Sequence, residues 1–198
     1  MAFSNNTLNL RFKLIALAPQ ISVEDERGAV QLYVRQKLLK LRESVTVFSD
    51  DTQREKRYEI QADRVIDFRA RYTITSAAGQ VIGALKQRGM KSLWRVHFDV
   101  EDRDGNVVFS IVEQNPWVRL VDSLIGSIPI IGLLSGYVFQ PAYVFRNSAE
   151  ATVGMAKKQP ALFEGLFTLS FEPSASEDTR ELLTLSALMM ILLERARG

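Results

Sequence analysis

Cysteine is absent from the 198 residues, and histidine occurs once, as His97. These shortages exclude disulfides, thiolate nucleophiles, iron–sulfur clusters, thiolate zinc sites and multi-histidine metal centres, so no metal and no cofactor is expected. The lack of cysteine also fits a reducing compartment. Proline is sparse at 6, and glycine stands at 11, which excludes collagen-like and low-complexity architectures. Neither sign of charge dominates: 25 Lys and Arg face 23 Asp and Glu. A net charge of +2 is too small to expect a protein that coats nucleic acid. Long uninterrupted apolar runs are missing too. Leu124 to Phe139 carries no charge, but it is shorter than the roughly 20 residues of a membrane span and holds Gly126, Pro129, Gly132 and Gly136. Leu182 to Leu193 is shorter still. Met1 to Thr7 has no basic region leading into a cleavage site, and Arg11 and Lys13 interrupt the first apolar stretch, so the expected location is cytoplasmic, peripheral to a membrane at most.

What is present is a recurrent unit. Ile21, Val23, Gly28, Val30, Val34, Arg35 and Gln36 align without gaps on Tyr72, Ile74, Gly79, Val81, Leu85, Lys86 and Gln87. Tyr143, Phe145, Val153, Gly154 and Lys157 match Tyr72, Ile74, Ile82, Gly83 and Lys86, and Phe98, Val100, Gly105, Val107, Val108 and Ile111 supply a fourth copy. Each unit reads as a β-hairpin, because alternation at period two surrounds a turn such as Asp104-Gly105-Asn106. Further strands fit at 44–49, 57–61, 64–72 and 165–171. The total is about twelve, more than the ~5–6 of a mean sheet, so closure is the natural way to hide the edges.

The C-terminal segment follows a different period. Ser176 is placed to cap a helix over 176–197 that has Glu177 and Asp178 in its first turn and Arg195 and Arg197 at its end. Leu182, Leu183, Leu185, Ala187, Leu188, Met189, Met190, Ile191, Leu192 and Leu193 cover all its faces, so it must be enclosed on every side. The fold expected is mainly β: one domain over 1–198, a closed antiparallel β-barrel of about twelve strands around a hydrophobic C-terminal helix.

The run Tyr33-Val34-Arg35-Gln36-Lys37, the hairpin from Tyr72-x-Ile74 to Val81-Ile82-Gly83, and the apolar final helix resemble the LURP-one-related family, which is grouped with the phospholipid scramblases and the tubby C-terminal domain. The resemblance covers nearly the whole chain. It implies the same twelve-stranded barrel and, as ligand class, phospholipid or phosphoinositide head groups. The chain departs from scramblases in lacking a cysteine cluster, a proline-rich N-terminal segment and a calcium loop before the last helix, so lipid scrambling is not expected.

Catalytic chemistry finds no support in the motifs. Aligning Gly105 with the glycine of an EF-hand loop places Val100 and Ile111 at ligating positions, so Asp99 to Gly105 reads as a hairpin turn. His97 stands on a strand, opposite in face to Val96 and Phe98, with no Gly-x-Ser-x-Gly elbow in the chain. The pattern with functional content is basic. Arg35, Lys86 and Lys157 share one repeat position, with Lys37 and Arg88 two residues further on, and period two points this set away from Val30, Leu32, Val34 and Val81, Gly83, Leu85. Two readings stand: a solvated barrel exterior, or a shared surface for anionic lipid. A second candidate is 116–139, an apolar helical or loop excursion in which Trp117, Leu120, Val121, Leu124 and Ile125 fall at helical spacing. It packs across a barrel end, or it touches a protein partner or membrane. The expected function is non-enzymatic binding of anionic ligands, with a protein-interaction or structural domain as the alternative.

Overall fold

Apolar residues at every second position, broken at regular points by one turn chemistry, account for the architecture. The computed structural model describes residues 3–13, 20–35, 44–63, 70–88, 96–114, 140–160 and 164–195. Twelve strands follow in chain order: β1 (Thr7–Lys13), β2 (Gln20–Glu24), β3 (Val30–Arg35), β4 (Ser44–Phe48), β5 (Lys56–Ala62), β6 (Arg71–Ser76), β7 (Val81–Gln87), β8 (His97–Glu101), β9 (Val107–Glu113), β10 (Ala142–Asn147), β11 (Thr152–Gln159) and β12 (Glu164–Phe171). One helix, α1 (Glu177–Arg195), closes the described chain. Sequential strands pair antiparallel and β12 pairs with β1, so the sheet is a closed barrel without an edge. Strand β1 escapes a reading of runs, since Arg11 and Lys13 look like interruptions. They take outward positions, while Leu8, Leu10 and Phe12 between them are buried.

Five hairpins share one turn. The carbonyls of Asp25, Asp50, Ser76, Asp102 and Asn147 accept the N–H three residues on, at 3.0, 3.3, 2.9, 3.2 and 2.9 Å. Side-chain oxygens of the same residues accept further N–H groups of the turn, as where Asp102 Oδ1 receives Asp104 and Asn106 at 2.9 and 2.8 Å. These bonds hold the Asp102 carboxyl below its ordinary pKa, and those from Thr52 do the same for Asp50. The fourth residue takes the left-handed conformation, with φ of 79° at Gly28, 57° at Gln53, 80° at Gly79, 85° at Gly105 and 60° at Glu150. This is a type I turn closed by a bulge, and the register shifts by one residue in each hairpin. The shift corrects one expectation. Val30 and Val81 pair with Glu24 and Thr75 and face outward, each 42% exposed, because Gln31 and Ile82, the extra residues at the register shift, reverse the alternation that placed them inward.

All five turns lie at one end of the barrel, where α1 also begins. Ser176 Oγ caps it by accepting Thr179 N–H at 3.2 Å. Arg180 ties this end to the N-terminal segment through Ser4 O at 2.7 Å and Asn6 Oδ1 at 2.9 Å. Tyr58, just inside β5, donates to Glu181 at 2.5 Å, and burial together with that bond pushes its phenol pKa up. At the far end the Arg195 guanidinium sits 5.1 Å from the centre of the Phe12 ring. Every residue from Leu182 to Leu193 is buried. Strands ~4.8 Å apart and tilted about 40° give twelve strands a radius of roughly 12 Å. A helix with side chains occupies about 5–6 Å of that, and inward side chains such as Phe98, Phe145 and Leu169 fill the rest. At Gly83 the wall and helix approach so closely that a Cβ would stand 2.4 Å from Glu101 O and 2.7 Å from Leu182 Cδ1.

Two outcomes test this core. Leu188→Asp, at a fully buried position, places an unpaired carboxylate inside the barrel and should prevent cooperative folding, as thermal denaturation would read. Removal of 182–198 should leave an aggregating chain; a soluble, cooperatively melting truncation would contradict the enclosed helix. Gly83→Ala should cost about 1–3 kcal/mol in chemical denaturation, the range for overpacking, because one contact is with backbone.

Candidate functional site

Arg35, Lys86 and Lys157 each stand seven residues after the left-handed turn residue, counted from Gly28, Gly79 and Glu150. All three are exposed and face outward at the same distance from the turn end, close to the far end of the barrel where α1 finishes. Their strands, β3, β7 and β11, lie four apart in the twelve-strand order, a third of the circumference each. On a radius of roughly 12 Å this separates them by about 20 Å. The shared patch expected from the sequence is therefore not one wall. The three positions form a ring near one rim, because the repeat unit returns every fourth strand. Arg88, just past β7, joins the far end, and its backbone N–H donates to His97 O at 3.1 Å. Lys37, Trp117, Leu120, Leu124 and Ile125, with the rest of 116–139, lie outside the described residues.

The side wall is electrically compensated. Arg71 Nε lies 2.6 Å from Glu101 and Arg88 Nε 2.7 Å from Asp99, across the outer face of β6, β7 and β8. Arg71 also donates to Thr73 Oγ1 at 2.9 Å. Asp99 and Glu101 are 7% and 6% exposed, unusual for carboxylates on the outside of a barrel, and the arginines laid over them supply the partners that such burial needs. Arg11 pairs with Glu24 at 3.3 Å, Arg146 with Glu150 at 3.1 Å, and Lys56 with Glu59. Among the described residues, no carboxylate forms an ion pair with Arg35, Lys86 or Lys157. These three cations near the far rim thus stand outside the ion pairs of the wall. Lys13, exposed at the last position of β1, lies at the same end, opposite Glu164 in register.

Sequence reading passed over two features. The Arg71–Glu101 and Arg88–Asp99 pairs bridge strands, and only the register reveals them. Glu113, fully buried, points into the far end of the barrel beside its cross-strand partner Tyr143, and accepts Val96 N–H at 3.3 Å. Its one signal was its phase, two residues beyond the inward Ile111. No group of three or more His, Asp and Glu that could hold a metal occurs among the described residues, and no helix there is long and apolar enough to cross a membrane.

The wall pairs and rim cations should respond differently to neutralisation. Arg71→Met leaves the Glu101 carboxylate buried without its partner and should cost about 1–3 kcal/mol. Arg35→Gln and Lys157→Gln, at exposed positions, should stay within about 0.5 kcal/mol of the parent in urea denaturation.

Comparison with known proteins agrees with this architecture. A crystal structure of a protein from Arabidopsis thaliana superposes with a TM-score of 0.50 at 10% identity, covering 95% of this chain and 90% of that one. At so low an identity the likeness concerns the fold alone. No curated protein matches the chain in sequence. A family model described as LURP-one-related matches residues 30–179, from the first residue of β3 to the third of α1. With three quarters of its length inside that match, and with a closed twelve-stranded barrel around a C-terminal helix, the chain belongs to the LURP-one-related family.

Proposed function

We propose that this protein is a non-enzymatic barrel that binds an anionic surface, the head groups of acidic phospholipids or phosphoinositides, as a peripheral partner of the membrane. The observation that carries the reading is the repeated, exposed placement of Arg35, Lys86 and Lys157 near one rim, with no ion pair to any of them among the described residues, whereas the flank cations Arg11, Arg71 and Arg88 are held by carboxylates. Distance selects the kind of ligand. Cations about 20 Å apart cannot converge on one phosphate, whose contacts span ~3 Å, but each can meet a separate head group of a charged plane. The filled interior supports the same reading, because α1 takes the space a small ligand would need. A family that is generally non-enzymatic fits it as well.

The strength follows from the charges. Each basic residue near an acidic membrane contributes about 1 kcal/mol at best, over a screening length of roughly 8 Å in physiological salt. Binding is weak and salt-sensitive. Cosedimentation with phosphatidylserine- or phosphoinositide-containing vesicles at low salt should retain the parent protein, release it as salt rises, and fail to retain a variant with Arg35, Lys37, Lys86, Arg88 and Lys157 changed to Gln. Equal retention of the two would overturn the proposal. No retention of either would overturn it in favour of a protein-interaction domain.

A further inference from the structure

We infer that the barrel meets the acidic bilayer end-on, with the far rim toward the lipid and the turn end pointing into solution; this rests on the lipid-surface reading above. Charge along the barrel axis supports it. At the turn end, none of the five hairpin turns is net basic, and 172–178, which leads into α1, adds Glu172, Glu177 and Asp178, all exposed, with no base. Asp25, Asp50 and Asp102 serve there as turn oxygens, so in three of the five hairpins the turn chemistry itself brings a carboxylate to this end. The opposite end has the reverse balance. Among the described residues, Lys13, Arg35, Lys86, Lys157, Lys158 and Arg195 stand there against Asp63, Glu113, Glu164 and Glu194, while Arg88 is held by Asp99.

Geometry disfavours the side-on alternative. With Arg35, Lys86 and Lys157 a third of the circumference apart, a barrel of roughly 12 Å radius lying on its side always turns at least one of the three away by about 18 Å or more, beyond two screening lengths. Standing on the far rim, it brings all three to the surface together. The same orientation holds the acidic end about 28 Å off, the length of the 19-residue α1, where repulsion from acidic lipid is screened. The wall pairs Arg71–Glu101, Arg88–Asp99 and Arg11–Glu24 leave the flank little charge to compete.

The absence of cysteine makes the orientation directly readable. Single-cysteine variants Ala78→Cys, in the exposed β6–β7 turn, and Gln114→Cys, exposed just beyond β9 at the far end, carry one environment-sensitive fluorophore each. They are mixed at low salt with phosphatidylserine vesicles containing a head-group quencher. End-on docking predicts that the probe at 114 is quenched several-fold more than the probe at 78, and that salt abolishes the difference together with binding. Retention on vesicles with equal quenching at both sites, or stronger quenching at 78, would overturn the orientation while leaving lipid binding intact. Failure of both labelled proteins and the parent to bind would overturn the lipid reading itself, and the orientation with it.

Discussion

Everything in this molecule is organised around a helix that cannot face water. From Leu182 to Leu193 no side of α1 is polar enough to be exposed, and Thr184 and Ser186 are its sole polar residues in that span. A single sheet covers one side of a helix; a closed barrel covers all of them. Twelve strands make a ring whose radius, roughly 12 Å, leaves about one layer of side chains between helix and wall. A smaller barrel would exclude the helix, and a larger one would leave voids at a cost of about 24 cal/mol per Å³. Gly83 shows how tight the fit is, since one methyl group there would meet both the helix and a strand carbonyl.

Filling the interior moves chemistry elsewhere. Lipocalin-like barrels hold ligands inside, but here that space is occupied by the chain itself, and what remains are the wall and the two ends. Cross-strand pairs neutralise much of the wall. The ends differ because they are made differently: one is a set of tight turns, each begun by a residue whose side-chain oxygen must accept backbone N–H groups, which Asp supplies in three of five cases. Where Asp fills that role, a structural feature of the hairpin also places negative charge at that end. The orientation of α1 matches, with Glu177 and Asp178 at its positive end and Arg195 at its negative end.

The sequence disclosed the barrel because the hairpins repeat, and the helix because its hydrophobicity has no polar face. The cap at Ser176 was legible for the same local reason. The bulges were not. Counting by twos along β3 or β7 misplaces Val30 and Val81, since Gln31 and Ile82 are extra residues that shift the phase, and in two hairpins Gln53 and Glu150 take the left-handed turn position that glycine takes in the others. Strand β1 was hidden by its outward Arg11 and Lys13. The equivalence of Arg35, Lys86 and Lys157 could be read from the repeat, but their spacing around the ring depends on strand order, which one sequence does not display. Glu113 and the Arg71–Glu101 pair likewise require register.

Binding at the rim requires α1 to be a permanent part of the core, because an interior that opened would offer a ligand cavity in its place. Amide hydrogen exchange measures this directly. If the helix is enclosed as described, the amides of 182–193 exchange only through global unfolding, with protection equal to the most protected strand amides of β1 and β8 and a denaturant dependence as steep as that of whole-protein unfolding. Helix amides that exchange faster than the strands, through an opening with little denaturant dependence, would contradict it.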